Sequence, residues 1–272
     1  MSVTQKTINF VLSREAQRGR SRQVQRSFPL SKVDYIDFFQ SEKEAELLKQ
    51  KSPFNRLVLQ KIWNAKGGYL DQPRSNAGQI GLLYALALKS EDSVYFWTQA
   101  MELYTLIEDK AWDEAVRDKA RLGKIRVLVL QGKIAGAIHS AENIIVENTS
   151  GSMIVEANLL LAEIKFRQLR ELQKENPVWY EDDELKPVRD QLYHQALDHY
   201  LTPYLFHGTR EDAAVRGLMG SAALYDFVED WKRSKEVLQD VLQIYALSPM
   251  GAQAKRKLEV INAAKANLNN EK

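Results

Sequence analysis

The sequence predicts an all-α fold, and three observations carry that prediction. The helix formers Ala, Leu, Lys, Glu, Gln and Arg dominate the chain. Only seven prolines and thirteen glycines interrupt 272 residues, and the alternating β-branched runs that mark strands are scarce. Apolar residues recur instead at helical spacing, in segments separated by short turn signals. A content of 44% hydrophobic and 27% charged residues excludes global disorder. The chain is long for one compact core, and a stacked helical array accommodates it as one continuous unit.

Taken in order, residues 1–32 carry Lys6, Arg14, Arg18, Arg20, Arg22, Arg26 and Lys32 against Glu15 alone, a charge of +6 in a chain whose net is +2. Residues 1–40 therefore read as a basic, loosely packed arm on a mildly acidic body. After it, Ser41-Glu42-Lys43-Glu44 has the pattern of a capping box, and a helix is expected to about Lys51. Pro53 is expected to open a second helix that ends at Gly67-Gly68, a pair that cannot continue it cheaply. A turn around Asp71-Gln72-Pro73 leads to a helix over 77–89, and Ser90-Glu91-Asp92 introduces another that runs through about Ile107.

This rhythm of helix, turn, helix suggests an internal repeat. The clearest unit spans 118–151, two amphipathic helices flanking Gln131-Gly132-Lys133. In its second helix Ile134, Ala137, Ile138, Ala141, Ile144 and Ile145 share one face. The run QGKIAGAI, with Gly132 in the turn and the small Ala137 where two helices meet, resembles a tetratricopeptide repeat. A second match covers 215–248, with Ala222, Tyr225, Trp231, Leu238 and Val241 at the family's preferred places. Ser234 replaces the usual alanine, and Thr149 stands where proline is common. Between the two units the spacing breaks: a longer pair is expected over Met153–Leu172 and Asp183–Phe206, joined by a loop holding Pro177 and Glu181-Asp182-Asp183-Glu184. A weaker unit precedes at about 77–108, and a terminal helix near 249–268 turns polar, as a cap does. The resemblance implies a right-handed superhelical array of antiparallel helix pairs over 41–272. The C-terminal run is also similar to repeats of bacterial envelope proteins, outer-membrane assembly lipoproteins among them.

Chemistry is hard to find in the sequence. The absence of cysteine removes disulfides, thiolate metal sites and thiol nucleophiles. His194 and His199 are five positions apart, on different faces of a helix, and with His139 and His207 read as packing or surface residues rather than metal ligands. The acidic run 181–184 reads as a solvated helix N-terminus. Trp179, in the loop, is the tryptophan expected to be exposed. No glycine-rich phosphate loop or nucleophile elbow is present. No enzyme, metal or cofactor is expected.

The family's pattern assigns the first helix of each pair to a concave groove. Its implied positions are Lys119, Leu122, Arg126 and Val129, then Glu156, Leu160 and Glu163, then Arg216, Met219, Ala223 and Asp226. The expected function is a non-catalytic scaffold or adaptor that holds a peptide or protein partner in that groove. The alternative is a binder of nucleic acid or an anionic surface through Arg14, Arg18, Arg20, Arg22 and Arg26. No aromatic residues interleave those arginines, which argues against specific single-strand binding. No run approaches the ~20 apolar residues that span a bilayer, and the N-terminus is too weakly apolar for a signal peptide. The expectation is a cytoplasmic protein, or a bacterial envelope protein if a leader precedes this sequence. The oligomeric state is left open.

Overall fold

A computed structural model describes residues 2–3, 7–14, 22–29, 42–49, 55–147 and 150–270. From Glu42 onward the described chain is helical. Its helices are α1 (Glu42–Lys49), α2 (Arg56–Lys66), α3 (Ala77–Lys89), α4 (Val94–Lys110), α5 (Glu114–Leu130), α6 (Ile134–Val146), α7 (Gly151–Glu175), α8 (Leu185–Phe206), α9 (Glu211–Phe227), α10 (Trp231–Ile244) and α11 (Gly251–Asn270). Among the described residues, no helix is long and apolar enough to cross a membrane.

Local chemistry sets the helix ends. The Asn55 side chain accepts from the Val58 amide, so α2 begins at Arg56 and not at the expected Pro53, which lies outside the described residues. Ser41 of the expected capping box also lies outside them. Asp113 caps α5 by accepting from the Ala115 amide, and Asp230 caps α10 by accepting from that of Arg233. Before α8, whose cap position is Glu184, the Asp182 side chain accepts from the amides of Glu184 and Leu185. Between α5 and α6 the chain reverses at Gly132, whose φ of 72° is open to a residue without a Cβ.

Each helix from α2 to α10 packs on its successor, and α1, α3, α5, α7 and α9 also touch one another in turn. Helices α1 to α9 of odd number therefore form a continuous row, with α4, α6, α8 and α10 packed behind it. The core is correspondingly a series of local clusters. Leu59, Leu88, Ile107 and Val127 join α2 to α5, while Ile125, Ile144, Met153 and Leu161 join α5 to α7. Leu169, Tyr193, Tyr200 and Leu224 join α7 to α9, and Leu218, Leu238, Val241 and Ala254 join α9 to α11. Ala137 and Ala222 are fully buried at these crossings. Ser234 is buried too, and its hydroxyl donates to the Asp226 carboxylate, which explains a serine where an alanine was anticipated. Trp231, by contrast, is 52% exposed and not a core aromatic.

The N-terminal segment adds a small sheet to the helical fold that the sequence predicts. Ser2–Val3, Thr7–Arg14 and Arg22–Pro29 form β1, β2 and β3 of an antiparallel sheet in the order β1-β2-β3, with Ile8 opposite Phe28 and Arg14 opposite Arg22. The alternation of Ile8, Phe10 and Leu12 with Thr7, Asn9 and Ser13 carried the signal of a half-buried strand. It was masked by the arginine count of the arm.

Two glycines give opposite expectations. A Cβ at Gly217 of α9 meets the carbonyl oxygen of Tyr200 in α8 well inside van der Waals contact, whereas a Cβ at Gly136 of α6 meets nothing within 4 Å. Gly217→Ala is expected to lower the unfolding free energy by about 1–3 kcal/mol through overpacking. Gly136→Ala is expected to raise it by roughly 0.4–1 kcal/mol. Urea unfolding of both variants beside the parent checks the pair.

Candidate partner-binding face

The odd-numbered row presents a charged face, built from one turn of each helix after another. On α5, Lys119, Leu122, Arg126 and Val129 recur at three- and four-residue spacing, and on α7 so do Glu156, Leu160 and Glu163. The packing of α5 beside α7 joins these two stripes into two clefts. The first, about 370 Å³, is lined by Lys119, Leu122, Arg126, Met153 and Glu156. The second, about 480 Å³, is lined by Arg126, Val129, Leu160 and Glu163 together with Lys89, Phe166, Arg167, Arg170 and Tyr200. Arg126 belongs to both. A larger cavity of about 600 Å³ lies elsewhere, between the turns that carry Arg74 and Trp112.

An ion-pair network crosses the face. The Arg216 guanidinium, on α9, donates twice to the Glu156 carboxylate, with one Nη1–Oε2 distance of 3.2 Å. Its Nε lies 3.2 Å from Asp212, and Arg126 Nη2 lies 3.7 Å from Glu156. Glu156 thus ties α5, α7 and α9 together. Paired guanidinium–carboxylate contacts of this kind are geometrically strict. Glu163, a cleft residue beside them, has its pKa raised, because burial outweighs the pull of Arg126, Arg216 and Lys89 and Glu156 adds repulsion. Lys89 is lowered, first by burial and then by Arg126, with Glu163 opposing. The face holds its charges close together, with Lys89, Arg126 and Glu156 half-buried and Glu163 at the exposed rim.

Not every residue assigned to the groove lies on it. Lys119, Leu122, Arg126, Glu156 and Glu163 line the clefts, Leu122 as a buried floor residue. Arg216 is engaged by Glu156. Met219 and Asp226 line neither cleft: Met219 packs half-buried against the cluster that joins α9 to α11, and Asp226 accepts from Ser234 and lies 3.5 Å from Lys257 Nζ. Lys89, Arg167, Arg170 and Tyr200 were missed. Arg167 and Arg170 continue the α7 stripe four and seven residues beyond Glu163, so extending its phase was enough to find them.

Other sequence-marked residues have structural employment. The Asn158 amide donates to the Ile154 carbonyl, leaving its oxygen to accept from His199 Nδ1 at 2.9 Å. His139 lies 3.2 Å from Asn143. Asp183 pairs with Lys186 at 2.8 Å, and the described residues contain no group of three or more His, Cys, Asp or Glu arranged to hold a metal. Trp179 is half-buried with the Arg189 guanidinium 4.8 Å above its ring, so the large apolar side chains that this loop exposes are Val178 and Tyr180. Of the basic arm, Arg14, Arg22 and Arg26 sit in β2 and β3, and Arg18 and Arg20 lie outside the described residues.

The raised pKa of Glu163 makes a pH-dependent expectation. The folded state holds the proton more tightly than the unfolded state, so ionising Glu163 costs stability, and the cost grows as pH rises from the ordinary carboxylate range through the raised value. Glu163→Gln is expected to raise the melting temperature at neutral pH and to lose that advantage at acid pH. Thermal melts of both proteins across pH check it. No protein-family model, no curated protein and no solved structure matches the chain, so this face is read from its own geometry.

Proposed function

We propose that the protein is a non-catalytic scaffold that holds a peptide or protein segment along the face of α3, α5, α7 and α9. In this reading the chain is a tetratricopeptide-type superhelix, and the odd-numbered row is its concave side. The observation that carries it is the pair of clefts joined at Arg126, apolar at the floor and charged at the rim. An elongated ligand fits that layout: short apolar side chains enter the Leu122 and Leu160 floors, and the rim charges set its register. Stacked helices supply the surface already formed, so little ordering cost falls on the protein.

Selection from a displayed peptide library, followed by affinity measurement, tests the reading. Arg216 is a poor site for the test because it is committed to Glu156. Lys119→Glu combined with Arg126→Gln changes the rim and leaves that pair in place. The double variant is expected to bind selected peptides at least about tenfold more weakly, some 1.4 kcal/mol. Lys232→Glu on α10, where the side chain is 88% exposed, serves as the neutral control. Equal affinity in parent and double variant rejects the groove.

A further inference from the structure

The α7–α8 hairpin is longer than its neighbours, and its two ends carry opposite charge. Phe227, the last residue of α9, packs edge-on against Phe166 at 5.5 Å, and Leu130, the last residue of α5, lines a cleft with Arg167 and Arg170. Both flanking helices therefore stop level with Phe166 and Arg167, about two thirds of the way along α7, which continues to Glu175. At 1.5 Å per residue this leaves roughly 12 Å of helix projecting past the row. The projection ends in the loop 176–184. There Val178 and Tyr180 are 56% and 55% exposed, and Glu181, Asp183 and Glu184 face solvent.

At the base of the same projection lies the second cleft, with Lys89, Arg126, Arg167 and Arg170 around Glu163. Arg167 has an exposed partner one turn away, Glu171, an i,i+4 pair that is easily exchanged. Arg170 lies over the Phe166 ring. The cleft thus has an excess of cations beside an apolar strip formed by Leu130 and Phe166, and the tip has an excess of carboxylates beside Val178 and Tyr180.

We infer that the occupant of this cleft is the acidic 178–184 tip of a second copy of the chain, in a two-fold dimer. Helix α7 carries the cleft and leads into the tip, with about 15 Å of rise over the ten residues from the cleft's centre to the end of α7. Two projecting hairpins laid side by side and antiparallel, offset by that length, place each tip on the other's cleft. A single contact is made twice, as two-fold symmetry requires. Glu181 and Glu184 meet Lys89, Arg167 and Arg170, while Val178 and Tyr180 cover Leu130 and Phe166. Lys119 and Glu156 stay open, so in the dimer the peptide partner keeps the first cleft and competes with the tip for the second.

Sedimentation of the full chain over a range of concentrations tests this. Dimerisation is expected at low salt, weakening at about 1 M salt, where screening acts within roughly 3 Å. Arg167→Glu with Arg170→Glu reverses the cleft, and Glu181→Lys with Glu184→Lys reverses the tip. All four side chains are exposed, and unchanged helicity by circular dichroism confirms folding. Each variant alone is expected to dimerise at least roughly tenfold more weakly. Mixed in equal amounts, they are expected to form a heterodimer, because both contacts are then complementary again. A protein monomeric at every concentration overturns the inference, even if the cleft binds a foreign acidic peptide. A dimer indifferent to both reversals, or a mixture that fails to associate, overturns it as well.

Discussion

None of the helices in this protein has a two-sided home of its own. From α3 to α10 each buries one flank on the helix before it and another on the helix after it, and α1, α3, α5, α7 and α9 must also fit against each other. Close approach at those crossings is the constraint on which the remaining architecture rests. It explains why alanine and glycine sit where the helices meet, why Tyr104 lies against Gly123, and why the Tyr200 carbonyl faces Gly217. It also explains the division of the core into clusters that overlap along the chain without merging. Burial of apolar area supplies the driving force, and small residues decide the spacing at which it is collected.

The same spacing produces the electrostatics of the exposed row. Helices close enough for Ile125 and Met153 to share a cluster bring Arg126, Glu156 and Arg216 within ion-pair reach. Glu156 is satisfied by this arrangement, whereas Glu163, exposed at the rim, receives three cations only at a distance. The result is a face that is neutralised at its centre and positive towards Lys89 and Arg170. A ligand approaching along it therefore meets a gradient and not a uniform field.

Much of this was legible in the residues themselves. The turn at Gly132, the helix over 77–89, the long central pair and the stripe Lys119–Leu122–Arg126 follow from local rules, and local rules suffice where a contact joins neighbours in the chain. Failures came where a distant element intervened. Met219 and Asp226 belong to the phase of a groove, and only the placement of α10 and α11 shows which partners they take there. Lys89 reads as an ordinary helix-end cation until α5 and α7 are laid beside α3. The strands were missed for a different reason: a conspicuous charge pattern drew attention from a period-two alternation underneath it. Ser234 shows the converse, a departure from a repeat pattern that a single hydrogen bond to Asp226 makes intelligible.

The row-by-row contact pattern has a consequence for how the chain acquires its shape. Helices touch partners one or two elements away, so the loops that must close during folding are short, and their entropy cost is small. Folding in such an array can start at any sufficiently apolar pair and spread outward, with no single nucleus that all molecules must find. The central pair α7–α8, with the longest helices and clusters on both sides, is the natural starting point, and the terminal helices are the natural places for fraying. A chain emerging during synthesis can therefore settle each pair as it appears, well before its C-terminus exists.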